Sequence, residues 1–456
     1  MTPQRLAVAN RLTQKRGPDA TEVVEKEGWT LAHNLLSITG SFTRQPFVDE
    51  RADCHCLFNG EIYNWRDLAP AAGSDGEALI PLYLEHGAAF TTKLDGEFAL
   101  ALFDFKKNVL VLSTDAFATK PLWYAKRGSE FGLASYESAL LALGFEKPTK
   151  LAANTTLVLS LADEKELSRH QVFTFDPAHQ HKESVDDFLS AFSHSIAKRA
   201  KNIREKVFMG LSSGYDSGAI TCELLRQKLP FKAYSILGRE DQGIVRARHA
   251  LLPKVAGEIL NPSYREYQRQ KRLLREVCEP FFWTVREGRY APQNILEDAA
   301  TVGLGIICEK AKGAGFKIYL SGQGADEILS DYRMHGKGLT GSSSIEGEFP
   351  EDLAAIFPWR NFYEGAQKYY IAKEEHVAGA YGLETRYPYL DAALVQEFLW
   401  LTAATKNAGY KYPLQTLFER EHFPYARDVK VGFIPRKKTM SDYIARFVSG
   451  LLGTHI

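Results

Sequence analysis

Lys206-Val207-Phe208-Met209-Gly210-Leu211-Ser212-Ser213-Gly214-Tyr215-Asp216-Ser217 is the stretch whose reading decides the fold of this chain. Its first half is an apolar run without alternation, as expected of a strand buried on both faces. Its second half is a Ser/Gly turn opening an apolar helix over 217–228. A helix over 185–198 precedes it, and a second short strand, Phe231-Lys232-Ala233-Tyr234-Ser235-Ile236, follows. Such alternation implies a parallel sheet with helices on both faces, whose ligands lie at the carboxyl ends of the strands. One later run, Phe316-Lys317-Ile318-Tyr319-Leu320, ends the same way, in Ser321-Gly322-Gln323-Gly324-Ala325-Asp326-Glu327.

At 456 residues the chain exceeds one ordinary core, and two domains are expected. Hydrophobic residues make up 45% and charged residues 25%, a globular balance. Lys+Arg and Asp+Glu both number 56, so no net field favours a polyanion and nucleic acid is not an expected partner. The basic run Arg436-Lys437-Lys438 reads as a solvated turn. The five cysteines are odd in number and widely spread, which argues against a disulfide framework. Cys54-His55-Cys56 alternates like a strand, without a second pair at zinc spacing, and is given a structural role. No apolar run approaches the roughly 20 residues of a membrane span, and Met1-Thr2-Pro3-Gln4-Arg5 lacks a secretory core. The expectation is a cytoplasmic protein without membrane partners, for which a homodimer is allowed.

Outward from the deciding stretch, residues 30–160 carry short β-type runs joined by turns: Trp29-Thr30-Leu31-Ala32, Cys56-Leu57-Phe58, Phe98-Ala99-Leu100-Ala101-Leu102-Phe103 and Val109-Leu110-Val111-Leu112. Helical patterns are expected over 5–14 and 76–86. The polar stretch Pro177-Ala178-His179-Gln180-His181-Lys182 makes a linker, giving domains 1–178 and 179–456. Thr340-Gly341-Ser342-Ser343-Ser344 is expected to be a loop.

A Ser/Gly turn between a buried strand and a helix offers backbone N–H groups at the positive end of the helix dipole, where phosphate is stabilised. A carboxylate there repels polyphosphate unless a cation intervenes, so Asp216 reads as a Mg²⁺ ligand. The blander reading is a tight corner with a dipole-favoured carboxylate. Asp326, at the second Gly-rich strand end, tips the balance toward a metal-assisted pyrophosphate site.

These residues resemble the asparagine synthetase family, whose synthetase domain carries SGGxDS; Ser212-Ser213-Gly214-Tyr215-Asp216-Ser217 departs from it once. Leu320-Ser321-Gly322-Gln323-Gly324-Ala325-Asp326-Glu327 is similar to LSGxGADE. Glu384-Thr385-Arg386-Tyr387-Pro388-Tyr389-Leu390-Asp391 is similar to E-x-R-x-P-[FY]-L-D, and Lys430-Val431-Gly432-Phe433-Ile434-Pro435 to K-x-G-F-x-x-P. The β-rich half resembles the family's glutamine-hydrolysing domain, of the N-terminal-nucleophile type, through Arg16-Gly17-Pro18-Asp19, Asn59-Gly60-Glu61-Ile62-Tyr63-Asn64 and Gly73-Ser74-Asp75-Gly76-Glu77. The resemblance implies an α+β sandwich followed by an α/β ATP-pyrophosphatase domain. It also implies an ATP-dependent ligase that adenylates a small carboxylic acid and joins it to ammonia or an amine.

By resemblance, Leu211, Ser212, Ser213, Gly214, Asp216, Ser217, Ile236, Ser321, Gly322 and Gln323 contact the nucleotide, and Asp216 and Asp326 hold Mg²⁺. Lys411 and Lys430 stand where the family stabilises developing negative charge. Gln323 replaces a family glutamate and cannot act as a base, so either the amine arrives already deprotonated or another group such as Glu384 or Tyr332 takes its proton. Glutamine-hydrolysing members begin with a terminal cysteine, whereas this chain opens at Met1 inside the expected first helix. Leu35 stands where the family places the arginine for the glutamine carboxylate. The expectation is therefore a ligase without its own glutaminase. The rivals are an intramolecular lactam-type synthetase and a non-catalytic binding protein. Ser213 favours the last if its backbone needs positive φ, since a β-carbon is strained there.

Overall fold

The computed structural model describes residues 3–201, 203–283, 293–334, 337–338, 343–345, 347–430 and 432–433. The basic run Arg436-Lys437-Lys438 and residues 340–342 lie outside them. In the first half, a six-stranded antiparallel sheet runs in the order Glu166–His170, Thr155–Ser160, Val109–Thr114, Gly96–Asp104, Cys54–Ile62, Phe47–Asp49. Gly96–Asp104 shows why its sequence does not alternate. Phe98, Leu100 and Leu102 pack on one face while Ala99, Ala101 and Phe103 pack on the other, so both faces are covered.

The first face meets the helix Leu79–His86 through Leu79, Leu82 and Tyr83. The second meets the hairpin Ala20–Lys26/Trp29–Leu35 and a three-stranded sheet ordered Glu130–Ala134, Trp123–Arg127, Thr149–Lys150. The helix expected over 5–14 forms as Pro3–Gln14, but that over 76–86 divides into a 3₁₀ turn, Gly76–Ala78, and Leu79–His86. The tight start follows from Gly76, where a β-carbon would lie 2.3 Å from the Phe47 ring. Cys54 and Cys56 are buried in the core, and burial pushes the Cys54 thiol up to about 12.

The second half is built on a parallel sheet ordered Gly257–Leu260, Lys232–Ile236, Val207–Gly210, Ile318–Leu320, Glu384–Arg386. Val207 and Met209 pack beneath the helices Asp186–Ala200 and Tyr215–Arg226, whereas Phe208 and Tyr319 face the helix Ala299–Gly313. The deciding strand is thus buried on both faces, as its composition requires. From Val207–Gly210 the chain adds strands in one direction and then returns to add Ile318–Leu320 on the other side. This reversal leaves a crevice between the two strand ends, where α/β sheets bind ligands. Between the halves run residues 171–185, within which the expected boundary falls. Among the described residues no helix is long and apolar enough to cross a membrane.

Charged side chains join the halves. Arg386 donates to Glu61 at 2.8 Å and to Glu384 at 2.7 Å. Arg199 donates to Glu97 at 2.7 Å, and Glu375 accepts from Arg16 at 2.8 Å and from Lys120 at 2.9 Å. All but Arg16 and Glu384 are nearly inaccessible. Ions so placed are tolerable only as pairs. Between the six-stranded sheet and the smaller sheets lies a cavity of about 930 Å³, lined by Trp29, Leu35, Phe131, His33, Asn59 and Asp75 among others. Asp75 Oδ2 accepts the Ile62 N–H at 3.0 Å. Burial raises the Asp75 carboxyl to about 7.

Arg386→Met should lower stability by about 3–5 kcal/mol, because it leaves Glu61 and Glu384 without their cation. The reading is the urea midpoint at unchanged slope, and a loss below ~1 kcal/mol would remove the network from the account of stability. A carboxyl whose pKa is higher folded than unfolded favours folding at low pH. That favour is lost as the pH rises from the ordinary aspartate range through about 7. Asp75→Asn should therefore raise the melting temperature at pH 8 and leave it nearly unchanged at pH 4; equal shifts at both would show an ordinary carboxylate.

Candidate functional site

The Ser/Gly turn is held mainly by its own hydroxyls. Ser217 Oγ, on the first turn of the helix Tyr215–Arg226, accepts the Ser212 N–H at 3.0 Å and meets Ser212 Oγ at 2.8 Å. Ser212 Oγ in turn accepts the Gly214 N–H at 3.1 Å. Ser213 is not among the residues with positive φ, so its β-carbon carries no left-handed strain. Its N–H donates to Glu240 Oε2 at 2.7 Å, and its Oγ accepts the Asp241 N–H at 3.3 Å. Burial raises the Glu240 carboxyl to about 7, against the Ser213 N–H and the charge of Arg248.

Beneath the turn, fully buried Arg248 donates to the carbonyls of Ser212, Gly214 and Pro424. Gly218 makes room for it, since a β-carbon there would lie 2.6 Å from the guanidinium.

The second turn leaves the neighbouring strand in register, with Val207 opposite Ile318 and Met209 opposite Leu320. Ser321 Oγ accepts the Gln323 N–H at 3.0 Å, and Gly324, at φ 99°, starts the short helix Ala325–Leu329. Gly322 is required by proximity: a β-carbon there would lie 3.0 Å from that of Asp216. The two turns are therefore in near contact, and their carboxylates converge.

Lys411 Nζ joins them, paired with Asp216 and lying 2.8 Å from Asp326 Oδ1. Lys430 Nζ is 2.7 Å from the same Asp326 oxygen and 4.2 Å from the centre of the Tyr332 ring. The Tyr410 hydroxyl donates to Asp326 at 2.9 Å. Lys411 adopts a left-handed backbone, φ 51°, directly before the helix Tyr412–Arg420, and its side chain is buried.

Burial works against every charge here, and the outcome differs by partner. Burial pushes Asp326 upward, but Lys411 and Lys430 outweigh it and hold the carboxyl below its usual range. Asp216 stays raised, because burial and the Asp326 charge exceed the pull of Lys411. Burial would depress Lys411, yet Asp216 and Asp326 raise it.

The aspartate side chains keep 28% and 25% exposure, so the cluster opens to solvent on the carboxylate side. Two hard-oxygen ligands facing a crevice suit Mg²⁺, which is held by one or two carboxylates together with substrate phosphates. Among the described residues no third His, Cys, Asp or Glu completes a protein-only cage.

The structure thus gathers Ser212, Ser213, Gly214, Asp216, Ser217, Ser321, Gly322, Gln323, Asp326, Lys411 and Lys430 around one crevice. Leu211 donates its N–H to Tyr234 at 2.8 Å, and Ile236 is buried at the end of the adjacent strand. Glu384 is not brought to the cluster: Arg386 claims its carboxylate, which faces the cavity of the first half. Tyr332 donates its hydroxyl to buried Glu327. Sequence reasoning missed Tyr410, Glu240 and Arg248. Glu240-Asp241 could have been found, since it too is an acidic pair just beyond a strand end.

Comparison with known proteins follows this geometry. The glutamine amidotransferase domain family matches residues 2–189, and the asparagine synthase family matches residues 187–351. A putative glutamine-hydrolysing asparagine synthetase of Methanocaldococcus jannaschii is 26% identical over 400 residues, covering 80% of this chain and 68% of that protein. Glutamine-hydrolysing asparagine synthetase B of Escherichia coli is 25% identical over 437 residues, covering 90% of this chain and 75% of that protein. On its two matched domains and these relatives, the chain belongs to the asparagine synthetase family and is an ATP-dependent amide-forming ligase.

Proposed function

We propose that the crevice adenylates a small carboxylic acid and passes the acyl group to ammonia or an amine that does not come from glutamine hydrolysed in this chain. The observation that carries the reading is the pair Asp216 and Asp326 bridged by Lys411 at adjoining strand ends. In this reading Asp216 and Asp326 would hold Mg²⁺, which would supply positive charge to screen the phosphates. Lys411 and Lys430 stand beside them, where compact ammonium groups offset charge on the departing pyrophosphate.

The substrate carboxylate attacks the α-phosphorus of ATP, and pyrophosphate leaves with the bond electrons. Nitrogen then attacks the acyl carbon, AMP departs and the nitrogen sheds a proton. Adenylation is needed because a carboxylate oxygen is a poor leaving group, whereas AMP is a good one. Glu384, held by Arg386, has no part in this reading, and neutral Gln323 cannot take the proton.

For the nitrogen source, support comes from the cavity of the first half. Leu35 is buried there where the family resemblance places an arginine, so a glutamine carboxylate would lack its cation. The domain division at 178/179, a cytoplasmic location and a homodimer belong to the same proposal.

Pyrophosphate release measured with a panel of amino and hydroxy acids, with and without ammonium or glutamine, tests this. Ammonium should support turnover and glutamine should not; matching rates would overturn the nitrogen assignment, and AMP release without any added amine would favour the intramolecular rival. Asp216→Ala should cut turnover by at least about 10²-fold, the scale of one lost transition-state contact. Undiminished turnover would remove Asp216 from the metal role. Lys411→Met should lower kcat by a similar factor, and a loss confined to KM would make the lysine a binding group alone.

A further inference from the structure

Glu240 belongs to neither strand-end motif, yet it takes one of the donors a phosphate-binding turn would offer. Its carboxylate accepts the Ser213 N–H at 2.7 Å and is almost inaccessible. The next residue closes the contact from the other side, because the Asp241 N–H donates to Ser213 Oγ at 3.3 Å. Asp241 also caps the helix Gln242–Leu251, accepting from Gly243 at 2.8 Å and Ile244 at 3.1 Å, so the backbone beside Glu240 is anchored.

Two other donors of the turn point inward, Ser212 N–H to Ser217 Oγ and Gly214 N–H to Ser212 Oγ. Of the three, only the Ser213 N–H is held by an anion. Arg248, fully buried under the turn, keeps its Nη2 without an acceptor among the described residues. The turn therefore carries cationic donor capacity that its own groups do not use.

A carboxylate and a phosphate cannot share one N–H donor, since their like charges would then lie within a few ångströms. We propose that Glu240 is a built-in competitor for the phosphate cradle: it holds the Ser213 N–H until a triphosphate displaces it, and so sets nucleotide affinity. This rests on the reading of the turn as the phosphate site. Arg248 fixes the carbonyls of Ser212 and Gly214, so the turn keeps its shape while the Glu240 side chain withdraws. Ser213, which departs from the family glycine, belongs to the same device, because its hydroxyl supplies the second half of the clasp.

Calorimetric titration of the full chain with MgATP, magnesium pyrophosphate and adenosine tests this at constant ionic strength. Glu240→Ala should bind ATP and pyrophosphate roughly tenfold tighter, the range of one charged hydrogen bond no longer contested. Glu240→Gln should gain less, because its amide oxygen still accepts the N–H, and Ser213→Gly should gain by a smaller factor again. Adenosine affinity should not change in any of them, which separates a phosphate competitor from a general strut.

Equal or weaker pyrophosphate binding in variants that melt like the wild type would overturn the proposal. If Glu240→Ala does not fold, Glu240→Gln and Ser213→Gly decide by the same readings. Binding by the wild type without a gain in the variants sinks only the competitor. Failure of every protein to bind MgATP and pyrophosphate sinks the phosphate-site reading as well.

Discussion

Asp216 and Asp326 converge because two parallel strands in register end side by side, and two carboxylates so close repel each other. The ammonium of Lys411 makes the arrangement stable, and much of the crevice follows from that requirement. Lys411 arrives from the far end of the sequence, on a left-handed backbone immediately before a helix. Gly322 must lack a side chain so that the second turn can approach Asp216. Asp326 gathers Lys430 and Tyr410 as well; burial pushes both aspartates upward, and only at Asp326 do the lysines outweigh it. A site poised in this way already carries the charge balance that a metal and a polyphosphate would rearrange.

Much of this was legible in the sequence, for a definite reason. A strand buried on both faces must be apolar throughout, and Val207-Phe208-Met209 and Ile318-Tyr319-Leu320 are; a turn of Ser and Gly after such a run marks the strand end. Both turns could therefore be found without knowing that their strands are neighbours. Lys411 and Lys430 were reached only through resemblance, since a lysine far along the chain has no local mark of its partner. Arg248 and Tyr410 were invisible for the same reason: their roles consist of contacts made across long sequence separations.

Glu384 shows the opposite case. It was a candidate proton acceptor only as part of the motif Glu384–Asp391, and its neighbour Arg386, which reaches Glu61 of the other half, also donates to the Glu384 carboxylate. Ser213 was read as a liability because it replaces glycine, whereas the backbone there is not left-handed and its hydroxyl is used. Motif departures are thus informative only once the conformation at the position is known.

The ion pairs between the halves also bear on how the halves can part. Swinging the halves apart would break the contacts of Arg199 with Glu97, of Glu375 with Lys120 and Arg16, and of Arg386 with Glu61, and would return those charges to water. A hinge of that kind must break all of these contacts together.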